Sequence, residues 1–259
     1  MLRKKSIIAV LILLAVWSAL LWIFSYALPD VRPLKDRRYS MTLMVNDAAG
    51  KKITFVLGPR NPRWTPLAAI PAALQWGVVV AEDASFYQHD GFDFGALRDA
   101  LWEDLRELEA VRGGSTITQQ LAKNLYLSRE KSLSRKIKEA IITRKLERHL
   151  SKKRILELYL NVIELSPGTY GVGAASWRYF HTSPSELNFY QSILLAAIIP
   201  SPKRYNPYRY PERALDRYRT VVSLLYKAKL ITLAQYNIAS SVRLDVDPQT
   251  NILYIVPVR

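Results

Sequence analysis

Two glutamates and the polar residues between them are the groups in this sequence best placed to do chemistry. Glu82 directly follows Val78-Val79-Val80-Ala81, so its carboxylate stands at the edge of an apolar wall. Partial desolvation raises the proton affinity of a carboxylate, which suits a general base or acid. Taken alone, a helix-end acid paired with a nearby cation is the plainer account. Glu139 lies one turn after Arg135, inside a run from Lys131 to Arg154 that holds ten Lys or Arg and only two acids, Glu139 and Glu147. An i, i+4 pair with Arg135 keeps Glu139 ionised beside cations able to meet a diphosphate, although a solvated basic face accounts for the run as a whole. Between the acids, Gly113-Gly114-Ser115-Thr116 opens a helix and presents donors at its positive end, where an anion or sugar hydroxyls could be held. An ordinary capped helix uses the same residues. His89 has neither His149 nor His181 at ligand spacing, so it is read as a hydrogen-bonding residue that fixes a loop and not as a metal ligand.

The elements that position these residues are mostly helical. An apolar stretch over 67–81 delivers Glu82 and Asp83 at its end. Asp93 is placed to cap a helix over 94–110 with a charged outer face, and Thr116 with Gln119 fits a capping box. Leu133, Ile137, Ile141, Leu146 and Leu150 form a helical stripe through the basic segment, and another helix follows over 155–163. Turn residues make 166–173 a loop, and helices are expected over 174–180, 187–199 and 213–229. Two short alternating segments, 42–45 and 53–57, flank Asn46-Asp47-Ala48-Ala49-Gly50 and predict a small hairpin. A strand is expected over 252–256. No internal repeat or low-complexity tract is present.

The chain has 259 residues, of which 49% are hydrophobic, and a formal charge of +15. That charge points to an anionic partner: nucleic acid, anionic lipid headgroups or a phosphorylated substrate. The absence of cysteine excludes a disulfide scaffold and a thiolate metal site. From Ile7 to Leu28 there is no charge, enough helix to cross a hydrocarbon layer roughly 30 Å thick. Arg3, Lys4 and Lys5 precede it, and Trp22 and Tyr26 suit an interfacial belt. The run is about twice a typical signal-peptide core, so it is read as an uncleaved anchor. Basic residues on both flanks leave the positive-inside rule undecided, and a long C-terminal domain that translocates regardless of charge favours N-in. The expected organisation is a cytoplasmic tail and transmembrane anchor over 1–30, a linker with a small β-hairpin over 31–63, and a catalytic domain over 64–259. A membrane-held domain favours lipid or phosphorylated substrates over nucleic acid.

Five ordered stretches together resemble the family 51 peptidoglycan glycosyltransferases, in particular the monofunctional biosynthetic transglycosylases. They are Glu-Asp-x-x-Phe-x-x-His-x-Gly from Glu82, Gly-Gly-Ser-Thr-Ile-Thr-Gln-Gln from Gly113, Arg-Lys-x-x-Glu from Arg135, Lys-x-x-Leu-Glu-x-Tyr-Leu-Asn from Lys153, and Tyr170-Gly171-Val172 leading to Ala174-Ala175 and Tyr179-Phe180. The likeness covers Trp64 to about Pro207. It implies a mainly α, lysozyme-like, two-lobed glycosyltransferase domain behind an N-terminal transmembrane helix, at the outer face of a bacterial inner membrane. The implied substrates are lipid II and the growing glycan strand, in peptidoglycan synthesis, cell wall biogenesis and cell shape. Glu82 matches the base that deprotonates the acceptor sugar's 4-hydroxyl, and Glu139 matches a second essential acid on the diphosphate side. Lys123, Lys131, Arg135 and Lys138 match positions near phosphates. Ser115, Thr116, Gln119, Gln120 and Asn124 match polar substrate contacts. A divalent cation, magnesium or manganese, is the one cofactor left open, and a transpeptidase or divisome proteins are the partners to consider.

Two departures stand out: Leu165-Ser166 where Phe-Gly is usual, and Gln191-Ser192-Ile193 where Glu-Ala-Ala is usual. The competing readings are a lysozyme-like lytic enzyme acting on the same polymer and a non-enzymatic anchored protein that binds anions. A glycosidase expels an alcohol and needs a true general acid. The basic run suits transfer from a diphosphate better than hydrolysis.

Overall fold

A computed structural model describes residues 28–95, 98, 114–128 and 132–258. All of the predicted anchor over 7–28 except Leu28, all but the start of the helix over 94–110, Gly113 and Lys131 therefore lie outside the described residues. Among the described residues no helix is long and apolar enough to cross a membrane.

Two groups of helices share one continuous core. In the first, α1 (Ala72–Glu82) packs on α6 (Phe189–Ile198) and α7 (Pro211–Lys227). Gly77 is what lets α1 and α6 approach, since a Cβ there would stand 3.1 Å from both the Ala196 Cβ and the Ile193 Cδ1. The second group is α2 (Ile117–Tyr126), α3 (Leu133–His149) and α4 (Lys152–Val162). The short α5 (Val172–Phe180) touches α4 on one side and α6 on the other. Leu74, Val78, Leu121, Ile142, Leu158 and Leu195 are among the side chains closing the core.

The N-terminal hairpin forms as the alternation predicts. β1 (Met41–Asn46) and β2 (Lys52–Leu57) pair antiparallel with Met41 opposite Leu57 and Asn46 opposite Lys52. Asp47 Oδ1 accepts from the amides of Ala49 and Lys51 to close the turn. The segment is docked on the helical body, not held off as a free linker: Val31, Leu34, Leu43 and Leu57 are buried in the common core, and the Tyr170 hydroxyl donates to the Asn46 carbonyl at 2.9 Å.

Other expectations need correction. Pro71 interrupts the predicted 67–81 helix, leaving a 3-10 turn at Leu67–Ala69 before α1. The stripe along α3 is rotated from the one expected. Leu133 is 79% exposed and Ile137 is also exposed, while Glu139, Ile142, Thr143 and Leu146 face inward. The loop at 166–173 contains a tiny hairpin, β3 (Glu164–Ser166) with β4 (Thr169–Tyr170). Near the C-terminus, α8 (Leu233–Ser240) and the strand β5 (Val242–Val246) were not anticipated; β5 pairs antiparallel with β6 (Leu253–Pro257), the expected strand.

Candidate active site

α1 ends at Glu82, and the loop after it is fastened to α2 through Asp83. The buried Asp83 carboxylate takes His89 Nε2 at 2.8 Å on Oδ1 and the Ile117 amide at 3.0 Å on Oδ2. His89 Nδ1 accepts from the Gly91 amide at 3.0 Å, so the ring proton sits on Nε2 and is donated to Asp83. The Gly91 carbonyl in turn accepts from the Thr116 hydroxyl at 2.8 Å. Gly91 itself sits at φ +96°, where a Cβ would lie 2.7 Å from Thr143 Cγ2, so only glycine fits without strain. His89 thus fixes the loop, as its isolation in the sequence suggested.

Thr116 and Gln119 form the capping box. The Gln119 amide donates to Thr116 Oγ1 at 3.2 Å, and Gln119 Oε1 accepts from the Thr116 amide at 2.9 Å. Both side chains are buried and support the start of α2. Ser115 and Asn124 are half-buried and Lys123 is exposed. Gln120, Lys123 and Asn124 stand at i, i+3 and i+4 and so share one face of α2.

Glu82 is half-buried. Gln120 Nε2 donates to its Oε2 at 2.8 Å. The orientation of that amide is set from behind, because the buried Tyr159 hydroxyl donates to Gln120 Oε1 at 2.9 Å, which turns the NH2 toward the carboxylate. Burial raises the proton affinity of Glu82 above the ordinary carboxylate range; the Gln120 hydrogen bond and the charges of Arg217 and Lys123 oppose this without cancelling it, and Asp83 adds slightly to the rise. Arg217 reaches in from α7, its Nη2 3.5 Å from the Ala81 carbonyl. Neither Arg217 nor Tyr159 was singled out from the sequence. Tyr159 could have been, since it is the tyrosine of the fourth motif, whereas Arg217 lies outside all five.

Glu139 is only 3% exposed. Arg135 Nη1 contacts its Oε2 at 2.8 Å, as the i, i+4 spacing predicts, and Lys136 Nζ takes Oε1. Lys136 is the cation that sequence reading missed, although its i, i+3 spacing was available. Arg135 and Lys138 line a cavity of about 330 Å3 with Tyr126, Ser132, Ser134 and Leu28. Both Glu139 oxygens are engaged by cations, and among the described residues no group of three or more His, Asp or Glu could hold a metal.

The fourth and fifth motifs hold the scaffold. Asn161 accepts from the Thr65 amide and donates to the Thr65 carbonyl, both at 2.8 Å. Glu157 accepts from the Leu67 amide at 2.7 Å and pairs with Arg154, whose Nε donates to the Leu34 carbonyl at 2.8 Å. In the fifth motif, a Cβ at Gly173 would lie 2.1 Å from the Arg63 carbonyl oxygen, so the glycine exists for close approach. One residue of each sequence departure is accommodated locally, while the Ser166 and Ser192 hydroxyls are buried without a hydrogen-bond partner among the described residues. Gln191 forms a capping box with Asn188 at the start of α6, and the Leu165 carbonyl accepts from the Tyr179 hydroxyl at 3.1 Å.

The transglycosylase family model matches residues 49–226. The chain belongs to the transglycosylase family. Its described body is accordingly a mainly helical peptidoglycan glycosyltransferase domain. A biosynthetic peptidoglycan transglycosylase of Nitrosomonas eutropha is 46% identical over 168 residues, covering 65% of this chain and 69% of that one. One from Aromatoleum aromaticum is 39% identical over 206 residues, covering 80% of this chain and 88% of its own length. Penicillin-binding protein 1A of Aquifex aeolicus is 41% identical over 219 residues, which cover 85% of this chain but 30% of that much longer protein. The transglycosylase match begins inside the N-terminal hairpin, consistent with the docking of that hairpin on the helical body.

Proposed function

We propose that this transglycosylase polymerises lipid II into glycan strands, with Glu82 as the general base and the cation-ringed Glu139 region as the diphosphate side. The observation that carries the reading is the contrast in the two carboxylates' surroundings: Glu82 is desolvated, with one neutral hydrogen-bond donor turned toward it, and Glu139 is buried between Arg135 and Lys136. A carboxylate of raised proton affinity suits proton abstraction near neutral pH.

In the proposed step the acceptor's 4-hydroxyl gives its proton to Glu82 as its oxygen attacks the anomeric carbon of the donor. The bond from that carbon to the diphosphate oxygen breaks, and the configuration inverts. The leaving group departs as a stable anion, so cations such as Arg135, Lys138 and Lys123 contribute more than a proton donor would. Lys131 joins this set on the family resemblance alone. Ser115, Gln120 and Asn124 are the polar groups assigned to the sugars; Thr116 and Gln119 hold the helix that carries them.

The remaining reading is a single-pass anchor over 1–30 in the bacterial inner membrane, with a two-lobed, lysozyme-like domain on the outer face. The uncharged run from Ile7 to Leu28 supports the anchor. Exposed Leu133 and Ile137, one turn apart on α3, support a face turned toward lipid. The test is direct: purified protein given lipid-linked disaccharide should lengthen glycan strands. Release of shorter fragments from preformed polymer, without extension, would establish the lytic alternative instead.

A further inference from the structure

Away from the active site, exposed apolar surface is unevenly spread. Among the described residues seventeen large apolar side chains stay exposed, and eight of them fall in 226–258. That stretch begins where the transglycosylase match ends. Tyr226, Leu230, Leu233 and Ile238 lie on the end of α7, the turn after it and α8, and α7 packs on both α8 and β5. Such a concentration marks a surface that a partner covers.

The kind of partner is written in β5. Its hairpin presses Val242 and Leu253 into the core and turns Arg243 and Asp245 outward, 3.0 Å apart. At the two ends of the ladder the Val258 amide donates to the Ser241 carbonyl at 2.6 Å and the Asp247 amide to the Ile252 carbonyl at 2.9 Å. Bonded and non-bonded pairs alternate in an antiparallel ladder, so Arg243 and Asp245 also bond to β6. Val242, Leu244 and Val246 therefore turn their N–H and C=O groups to the opposite edge. At Leu244 and Val246 these groups meet no hydrogen-bond partner among the described residues. The outer edge of β6 differs, because Pro257 stands in its outward-facing set and removes a donor. β5 is thus the edge left able to take another strand.

The strand reads Val242-Arg243-Leu244-Asp245-Val246, a pattern complementary to itself when reversed. A second β5 laid antiparallel, Leu244 opposite Leu244, sets Arg243 of each copy against Asp245 of the other. Hydrogen bonding requires outward-facing residues to oppose one another, which excludes a one-residue slip. A two-residue slip either way sets Arg243 against Arg243 or Asp245 against Asp245, which like-charge repulsion disfavours. Only the Leu244-centred register meets both demands.

We propose that β5 pairs with β5 of a second copy of this chain, giving a four-stranded sheet in the order β6-β5-β5-β6 with both helical bodies on one side of it. Val242 is buried, so the backbone bonds centre on Leu244, and the exposed apolar residues of α7 and α8 supply further area. A five-residue strand is a small interface, which places the association among weak, transient ones. The pairing uses no residue of the active site and is independent of the polymerase reading.

The experiment uses the full chain in detergent, with R243E and D245K, which alter side chains on the open face of the hairpin. Sedimentation velocity over rising concentration should show dimers of the parent. Each variant sets like charges opposite one another twice per dimer and should weaken association about tenfold or more. An equimolar mixture of the two, one with paired acids and one with paired bases, should restore it. The chain has no cysteine, so the register can be read directly. R243C mixed with D245C should form an intermolecular disulfide about tenfold faster under mild oxidation than either alone, since only the mixture places two cysteines directly opposite. A parent that stays monomeric, variants that associate like the parent, or a loss that mixing does not rescue would overturn the pairing. Cross-linking of either cysteine variant alone as fast as in the mixture would overturn its register.

Discussion

Glu82 and Glu139 are the same residue type, each carried on a helix of a packed group, yet their surroundings differ in nearly every respect. Glu82 ends its helix, is partly open to solvent and meets a neutral amide, with cations acting on it from α2 and α7. Glu139 lies mid-helix, is almost fully buried and is held directly by two cations of its own helix. The first environment raises proton affinity and leaves the group able to exchange a proton. The second engages the carboxylate with Arg135 and Lys136, and on the proposed reading its contribution is to aim positive charge. A motif pattern that marks both acids as essential cannot separate these roles, whereas their hydrogen-bond partners can.

The sharpest way to break this comparison is Glu82→Gln, which should lower kcat about 10³-fold, within the range of general-base effects, with circular dichroism unchanged. Near-parental turnover would remove Glu82 from the base role. Glu139→Gln should lower polymerisation about 10²-fold by releasing Arg135 and Lys136 from their aim; turnover within twofold of the parent would remove Glu139 from the diphosphate side. A subtler contrast comes from Arg217→Gln. The Arg217 charge lowers the proton affinity of Glu82, so its removal raises that affinity further and the base is ionised only at higher pH. The acid limb of kcat should therefore move upward in pH, with less than about tenfold loss at the optimum, and Lys123→Gln should shift it the same way by less. The smallest effect is on stability. Because the folded proton affinity of Glu82 is raised, its ionisation costs stability above the unfolded carboxylate's range and not below it. Glu82→Gln should thus raise the melting temperature by roughly 2–4 °C at pH 7 to 8 and leave it unchanged below about pH 4.

Much of this site was legible because its signals are local. The capping box at Thr116 and Gln119, the Arg135–Glu139 pair and the apolar run before Glu82 each depend on residues a few positions apart, and all three occur as spacing requires. What escaped was set by tertiary contact. Arg217 follows Glu82 by more than a hundred residues and meets it only because α1 packs on α7. The occupation of Gln119 by its own helix cap could be guessed from the box, but a motif resemblance credits the same residue to substrate. The rotation of α3 had a similar origin: Leu133 and Ile137 look like core residues by periodicity, yet α2 covers the neighbouring face, and the helix buries Glu139 with its cations instead. Near the C-terminus, β5 lacks strong alternation and is defined by its pairing with β6.

The Leu28 carbonyl lies 3.5 Å from Lys145 Nζ on α3, and Leu28 and Pro29 form part of the wall of the cavity that Arg135 and Lys138 line. Leu28 and Pro29 thus lie beside the basic cluster. If the preceding segment is held in a bilayer, that cluster cannot drift far from the lipid surface, and the encounter with a lipid-borne diphosphate is governed by effective concentration in two dimensions more than by intrinsic affinity. Lengthening the junction before Leu28 with a flexible insert would then slow polymerisation on vesicles while leaving turnover of a detergent-solubilised substrate untouched.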